Sequence, residues 1–128
     1  LFPYTTLFRS VATGLDLLKE RQWALGKQVR ALMARNGLRS VAAPGFEAPG
    51  VVVSYTDEES LHNGRQFIEL GLQTAAGVPL MCDEAADYKT FRIGLFGLDK
   101  LNDIDTTVGN LDKAFSAIAA RATAASGA

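Results

Sequence analysis

Between Thr13 and Asn36 the apolar residues Leu15, Leu18, Leu25, Val29 and Leu32 recur at three- and four-residue steps, with Gln22 filling the one gap in the series. That periodicity predicts a single long amphipathic helix. Asn36-Gly37 supplies its stop, because a glycine just past the cap takes the left-handed conformation without a Cβ penalty. At about 1.5 Å per residue such a helix approaches 35 Å, more than a small domain needs for its own core. It is therefore expected to run past that core and lean on a second body. Trp23 lies off the apolar stripe, placed either for that second contact or along its own helix.

The remaining pattern is mixed. Leu38 to Ala42 reads as a short strand, and Pro44-Gly45 with Pro49-Gly50 brackets a turn-rich connector that holds Phe46. Val51 to Tyr55 is a strongly β-branched strand. Thr56 with Glu59 forms a capping-box pattern, opening a helix over Leu61, Phe67, Ile68 and Leu72 that Gly64 and Gly71 weaken. Gly77 to Met81 is expected as an edge strand because of Pro79, Cys82 to Thr90 as a polar loop, and Phe91 to Phe96 as a strand. Asn102 then serves as N-cap, with Asp103 and Asp105 in the first turn of a helix carrying Ile104, Val108, Leu111, Phe115 and Ile118 on one stripe. Past Arg121 the tail has nothing to bury, and residues 123–128 are expected to fray. Short antiparallel strands with helices on one face make an α+β two-layer sandwich the economical packing, preceded by the long helix.

Composition narrows the function classes. The 128 residues are 48% hydrophobic and 21% charged, and 13 basic against 14 acidic residues give a net charge of −1. Such a balance carries no electrostatic footprint for nucleic acid or an anionic membrane. The apolar runs fall far short of the roughly 20 residues a bilayer span requires, so a cytoplasmic location is expected. Cys82 is the only cysteine, which excludes an intrachain disulfide and any cysteine-based metal cluster.

Arg92 is the residue that most invites a functional reading. With period 2, Phe91, Ile93 and Leu95 face one side of their strand, and Arg92, Gly94 and Phe96 face the other. A planar guanidinium beside a glycine vacancy is suited to bidentate capture of a carboxylate. The structural alternative is an ion pair with an acid such as Asp87. Other polar residues offer less. His62, the only histidine, has no partner at catalytic or metal-ligand spacing and is expected to play a surface or capping role. Asp83 and Glu84 follow Cys82 and disfavour its thiolate. Asp83, Glu84 and Asp87 lack the alternation of a calcium loop, so a solvated loop is expected and no metal site. No glycine pattern cradles phosphate.

The runs PGFEAPGVVVSYT, GRQFIELGLQTAAGVPLMCDE and FRIGLFGLDKL, followed by the terminal amphipathic helix, resemble the C-terminal small domain of class V aminotransferases. These are fold type I pyridoxal-phosphate enzymes, and the likeness is greatest to the alanine–glyoxylate and serine–glyoxylate group. The resemblance implies that Arg92 binds the substrate α-carboxylate in a ping-pong transamination between a small amino acid and a 2-oxo acid such as glyoxylate or pyruvate. It also implies a homodimeric parent enzyme whose Schiff-base lysine, pyridinium partner and phosphate cup lie in a large domain. Lys19, Lys27, Lys89, Lys100 and Lys113 all fall in the small-domain region, so none is taken as that lysine, and the chain alone is expected to be inactive.

Residues 1–10, LFPYTTLFRS, resemble the translation of a short-read sequencing adapter, and no Met precedes them. They are expected to be non-native, with the small domain covering residues 11–122 and the parent protein continuing upstream. The alternative for this segment is an authentic edge strand. The alternative for the whole chain is a free-standing α+β module that binds a carboxylate or amino acid through Arg92 without catalysis.

Overall fold

The computed structural model describes residues 3–127. The long helix predicted from Thr13 to Asn36 is α2, Leu15–Arg35. Its stripe is buried only in the C-terminal half, where Leu25, Val29 and Leu32 are fully enclosed and Met33 nearly so. The N-terminal half leaves Leu15, Leu17 and Trp23 exposed, in line with a helix longer than its core.

Three strands form the sheet: β1 (Val51–Tyr55), β2 (Ala75–Ala76) and β3 (Thr90–Gly94). The order is β1-β3-β2, antiparallel throughout, which puts β3 in the centre. Val52, Phe91, Ile93 and the following Leu95 are buried, and together with α2 and the last helix, α6 (Ile104–Ser126), they form one core. The fold is thus α+β, an antiparallel sheet with helices packed against it. Phe67 lies between the layers, 5.2 Å from the Phe91 ring and 5.7 Å from the Phe115 ring.

Local chemistry redraws several expected elements. The helix expected from Thr56 splits into α3 (Glu59–His62) and α4 (Arg65–Glu69), because Gly64 takes a left-handed φ of 80° between them. Thr56 caps neither: its hydroxyl accepts the Glu58 N–H at 3.1 Å in a local turn. Leu38–Ala42 contributes a single bridge, Ser40 to Ser54, flanked by bonds from Val41 N–H to Val53 and from Tyr55 N–H to Arg39. The third strand is Ala75–Ala76 rather than Gly77–Met81. A Cβ at Gly77 would collide with the Thr90 backbone, and beyond Pro79 the chain turns away through Met81 at φ 62°. A five-residue helix, α5 (Leu98–Asn102), was not foreseen.

At the start of α6 the cap is Asp103, whose Oδ1 accepts the Thr106 N–H at 3.0 Å. Asn102, expected there, ends α5 and accepts a bond from Arg21 at 3.1 Å. The Thr106 backbone N–H, and then its hydroxyl, hold the Asp103 carboxyl below its ordinary range. A depressed folded-state value means that the cap contributes above the unfolded carboxyl's pKa and is lost as pH falls through the folded one. The Thr106 amide proton shift should titrate with a midpoint below that of an ordinary aspartate. A midpoint at or above the ordinary value would contradict the cap.

Both ends of the described chain are helical. α6 continues past Arg121 to Ser126, since its alanine-rich end favours helix, and the Thr123 and Ser126 hydroxyls each bond the carbonyl four residues back at 3.0 Å. Pro3–Thr13 forms a helix, α1, not an edge strand, and Gly14 at φ 96° separates it from α2. Residues 1, 2 and 128, parts of the expected non-native segment and frayed tail, lie outside the described residues. Among the described residues no helix is long and apolar enough to cross a membrane.

Candidate functional site

Arg92 occupies the middle of the central strand, paired with Val53 on one side and Ala75 on the other. The alternation expected of this strand holds: Phe91, Ile93 and Leu95 are buried, while Arg92 is half-buried and Gly94 and Phe96 are exposed. The guanidinium therefore stands on the sheet face opposite the helices. Its Nε donates to the Ala76 carbonyl at 3.2 Å, which orients the planar fork against the edge strand. Among the described residues neither Arg92 nor Asp87 takes part in an ion pair. The expected structural alternative for Arg92 is therefore not what the structure contains, and its two terminal nitrogens keep their donors for another acceptor.

The surroundings are apolar and aromatic. Val51, Val53 and Tyr55 of β1 are half-buried on this face. Arg39 lies 4.2 Å from the Tyr55 ring centre, and Tyr88 meets that ring edge-on at 5.7 Å. A Cβ placed on Gly94 would touch only two Phe96 ring carbons, at 3.6 and 3.8 Å. The vacancy expected beside Arg92 is thus present, with an aromatic ring at its far edge.

One residue that the sequence reading noted only as a gap in the apolar series has a supporting role. Gln22 interrupts the apolar stripe of α2 because its amide donates to the Pro49 carbonyl at 2.9 Å and to the Leu95 carbonyl at 3.2 Å. A polar residue in a buried stripe was the available signal, and only the fold shows what it binds. Arg30 adds a second clamp, donating from Nη2 to the carbonyls of Ala48 at 2.7 Å and Val51 at 3.0 Å. These bonds tie the end of the Arg92 strand and the start of β1 to α2.

The other polar candidates are structural in their contacts. His62 Nδ1 lies 2.7 Å from the Thr90 carbonyl, the distance expected when the ring nitrogen donates, and so fastens α3 to the first residue of β3. Cys82 is exposed. Glu84 accepts the backbone N–H groups of Leu80 and Cys82, closing the loop that Met81 and Asp83 enter at positive φ. Desolvation is the largest single influence and pushes its carboxyl up, but the surrounding backbone N–H groups together outweigh it and hold the group below its ordinary value. No cluster of metal-ligating side chains occurs among the described residues.

A cavity of about 250 Å³ opens beside the end of β3, with Leu95 and Leu111 in its wall and Lys100 at its rim. Its one cation is already 3.5 Å from Asp99, and its lining includes no aromatic ring or histidine. The residues present there do not fit pyridoxal phosphate, which needs an anion cup, a stacking partner and a free lysine together. No protein-family model matches this chain, and no curated protein matches it.

Proposed function

We propose that this chain is the carboxylate-binding small domain of a larger, cytoplasmic, homodimeric pyridoxal-phosphate aminotransferase of the class V type, with Arg92 gripping the substrate carboxylate. The observation that carries this reading is an arginine in the central strand that, among the described residues, is paired with no acid, is oriented by one backbone carbonyl and is flanked by a glycine vacancy. The groups that would hold the cofactor belong, on this proposal, to the rest of the parent enzyme. This chain contributes binding and orientation of the small amino acid and the 2-oxo acid, and by itself it does not transaminate. A free-standing carboxylate-binding module would use Arg92 in the same way, but nothing specific to this fold favours it.

Chemical-shift titration with pyruvate tests the role of Arg92. Loss of a charge-assisted pair should raise Kd about ten- to a hundredfold in Arg92→Met, and Arg92→Lys should recover only part of the loss because the planar fork is gone. Equal affinity in the wild type and Arg92→Met would remove Arg92 from the site. Sequencing the source DNA across the Ser10–Val11 junction tests the larger reading. An upstream open frame encoding an α/β domain with a candidate Schiff-base lysine supports the aminotransferase, and a start codon just before Val11 leaves only the binding module.

A further inference from the structure

Phe96 is a large apolar side chain left 66% exposed, on a strand end whose backbone is otherwise well tied down. Two glycines set where its ring lies. Any side chain at Gly50 would strike the ring, and a Cβ added at Gly94 would meet it at 3.6 Å, an ordinary contact distance. The ring is therefore seated over glycine backbone on the Arg92 side of the sheet. Arg92 and Gly94, on the same face of one strand, are separated by about 7 Å. The Arg92 fork leans over Ala76 of the edge strand, the Phe96 ring lies over Gly50 at the start of β1, and the Gly94 gap stands between them on the shared face.

We infer that the Arg92 site takes a carboxylate bearing an apolar group, with the Gly94 gap admitting the chain and Phe96 acting as the shelf that selects for it. This rests on the carboxylate role proposed for Arg92 and adds the class of ligand. The physical basis is burial: an apolar group laid on the ring removes area from water on both surfaces, while a carboxylate without one gains only the guanidinium contact. Gly94 matters because a β-branched side chain there would occupy the gap that links the two.

The test compares acetate with 3-phenylpropionate by chemical-shift titration of the 128-residue chain. The wild type should bind phenylpropionate about tenfold more tightly or better, on the scale of the apolar area gained. Phe96→Ala should bring the ratio close to one, and the exposed position leaves folding intact, as far-ultraviolet circular dichroism will show. Gly94→Val should weaken phenylpropionate more than acetate. Arg92→Met should weaken both. If Arg92→Met loses both ligands while Phe96→Ala keeps the wild-type ratio, the shelf is wrong and the Arg92 reading stands. If neither carboxylate binds, or Arg92→Met binds both as well as wild type, the Arg92 reading itself fails.

Discussion

Phe67→Ala is expected to destabilise the protein by about 3–5 kcal/mol, the range for emptying a buried phenylalanine site. Phe67 is fully buried between the sheet and α6, with the Phe91 and Phe115 rings at 5.2 and 5.7 Å. Those rings are held by β3 and by α6, so they cannot both move in to fill the cavity. Both transfer and cavity contributions are then lost, along with two aromatic contacts. Against a total stability of about 5–15 kcal/mol for an ordinary domain, such a loss brings the chain near unfolding. Urea denaturation measures it directly. The control is Ile68→Ala, next along α4 but 67% exposed, which should shift stability by no more than about 0.5 kcal/mol. Similar losses in the two variants would mean that α4 packs differently from this description.

Gly26→Ala should destabilise by about 1–2 kcal/mol, although alanine is the better helix former. Helix propensity alone favours the substitution by about 1 kcal/mol in the middle of a helix such as α2. Packing opposes it. A Cβ at Gly26 would lie 2.8 Å from the Pro49 carbonyl oxygen and 3.2 Å from the Pro49 Cα, and both are backbone atoms. The same carbonyl receives the Gln22 amide at 2.9 Å, so the loop cannot withdraw without breaking that bond. Moving Pro49 also shifts the start of β1, and with it the Val53 side of the Arg92 pairing. A thermal unfolding midpoint lower than wild type is the expected result. A raised midpoint would show that the loop yields and that propensity decides the sign.

The elements with a strong repeating pattern were the ones the sequence described well. Leu25, Val29 and Leu32 on α2, and Leu111, Phe115 and Ile118 on α6, are spaced as one helix face, and all are in the core. Phe91, Ile93 and Leu95 alternate with Arg92, Gly94 and Phe96 in sequence, and the two sets differ in burial as that alternation requires. The elements misjudged were short ones decided by single residues. Gly64 permits either a helix interior or a left-handed break, and it took the break. Asn102 and Asp103 are both good caps one position apart, and the choice followed from where α5 ends and Arg21 reaches.

By itself, then, the sequence determined the amphipathic helices, the face of the central strand that carries Arg92 and the glycine beside it, because hydrophobic periodicity is local and tolerates few interpretations. It determined the absence of a long apolar span in the same way. Only the tertiary structure decided that Arg92 is paired with Ala76's carbonyl and, among the described residues, with no acid, that Gln22 supports the end of its strand, and that Phe96 rests over Gly50 and Gly94. These contacts join residues from 16 to 73 positions apart for the hydrogen bonds of Arg92 and Gln22. No local pattern encodes a partner at such distances. It is selected by which surfaces the packed core leaves facing each other, and by the cost of leaving a buried polar group unpaired.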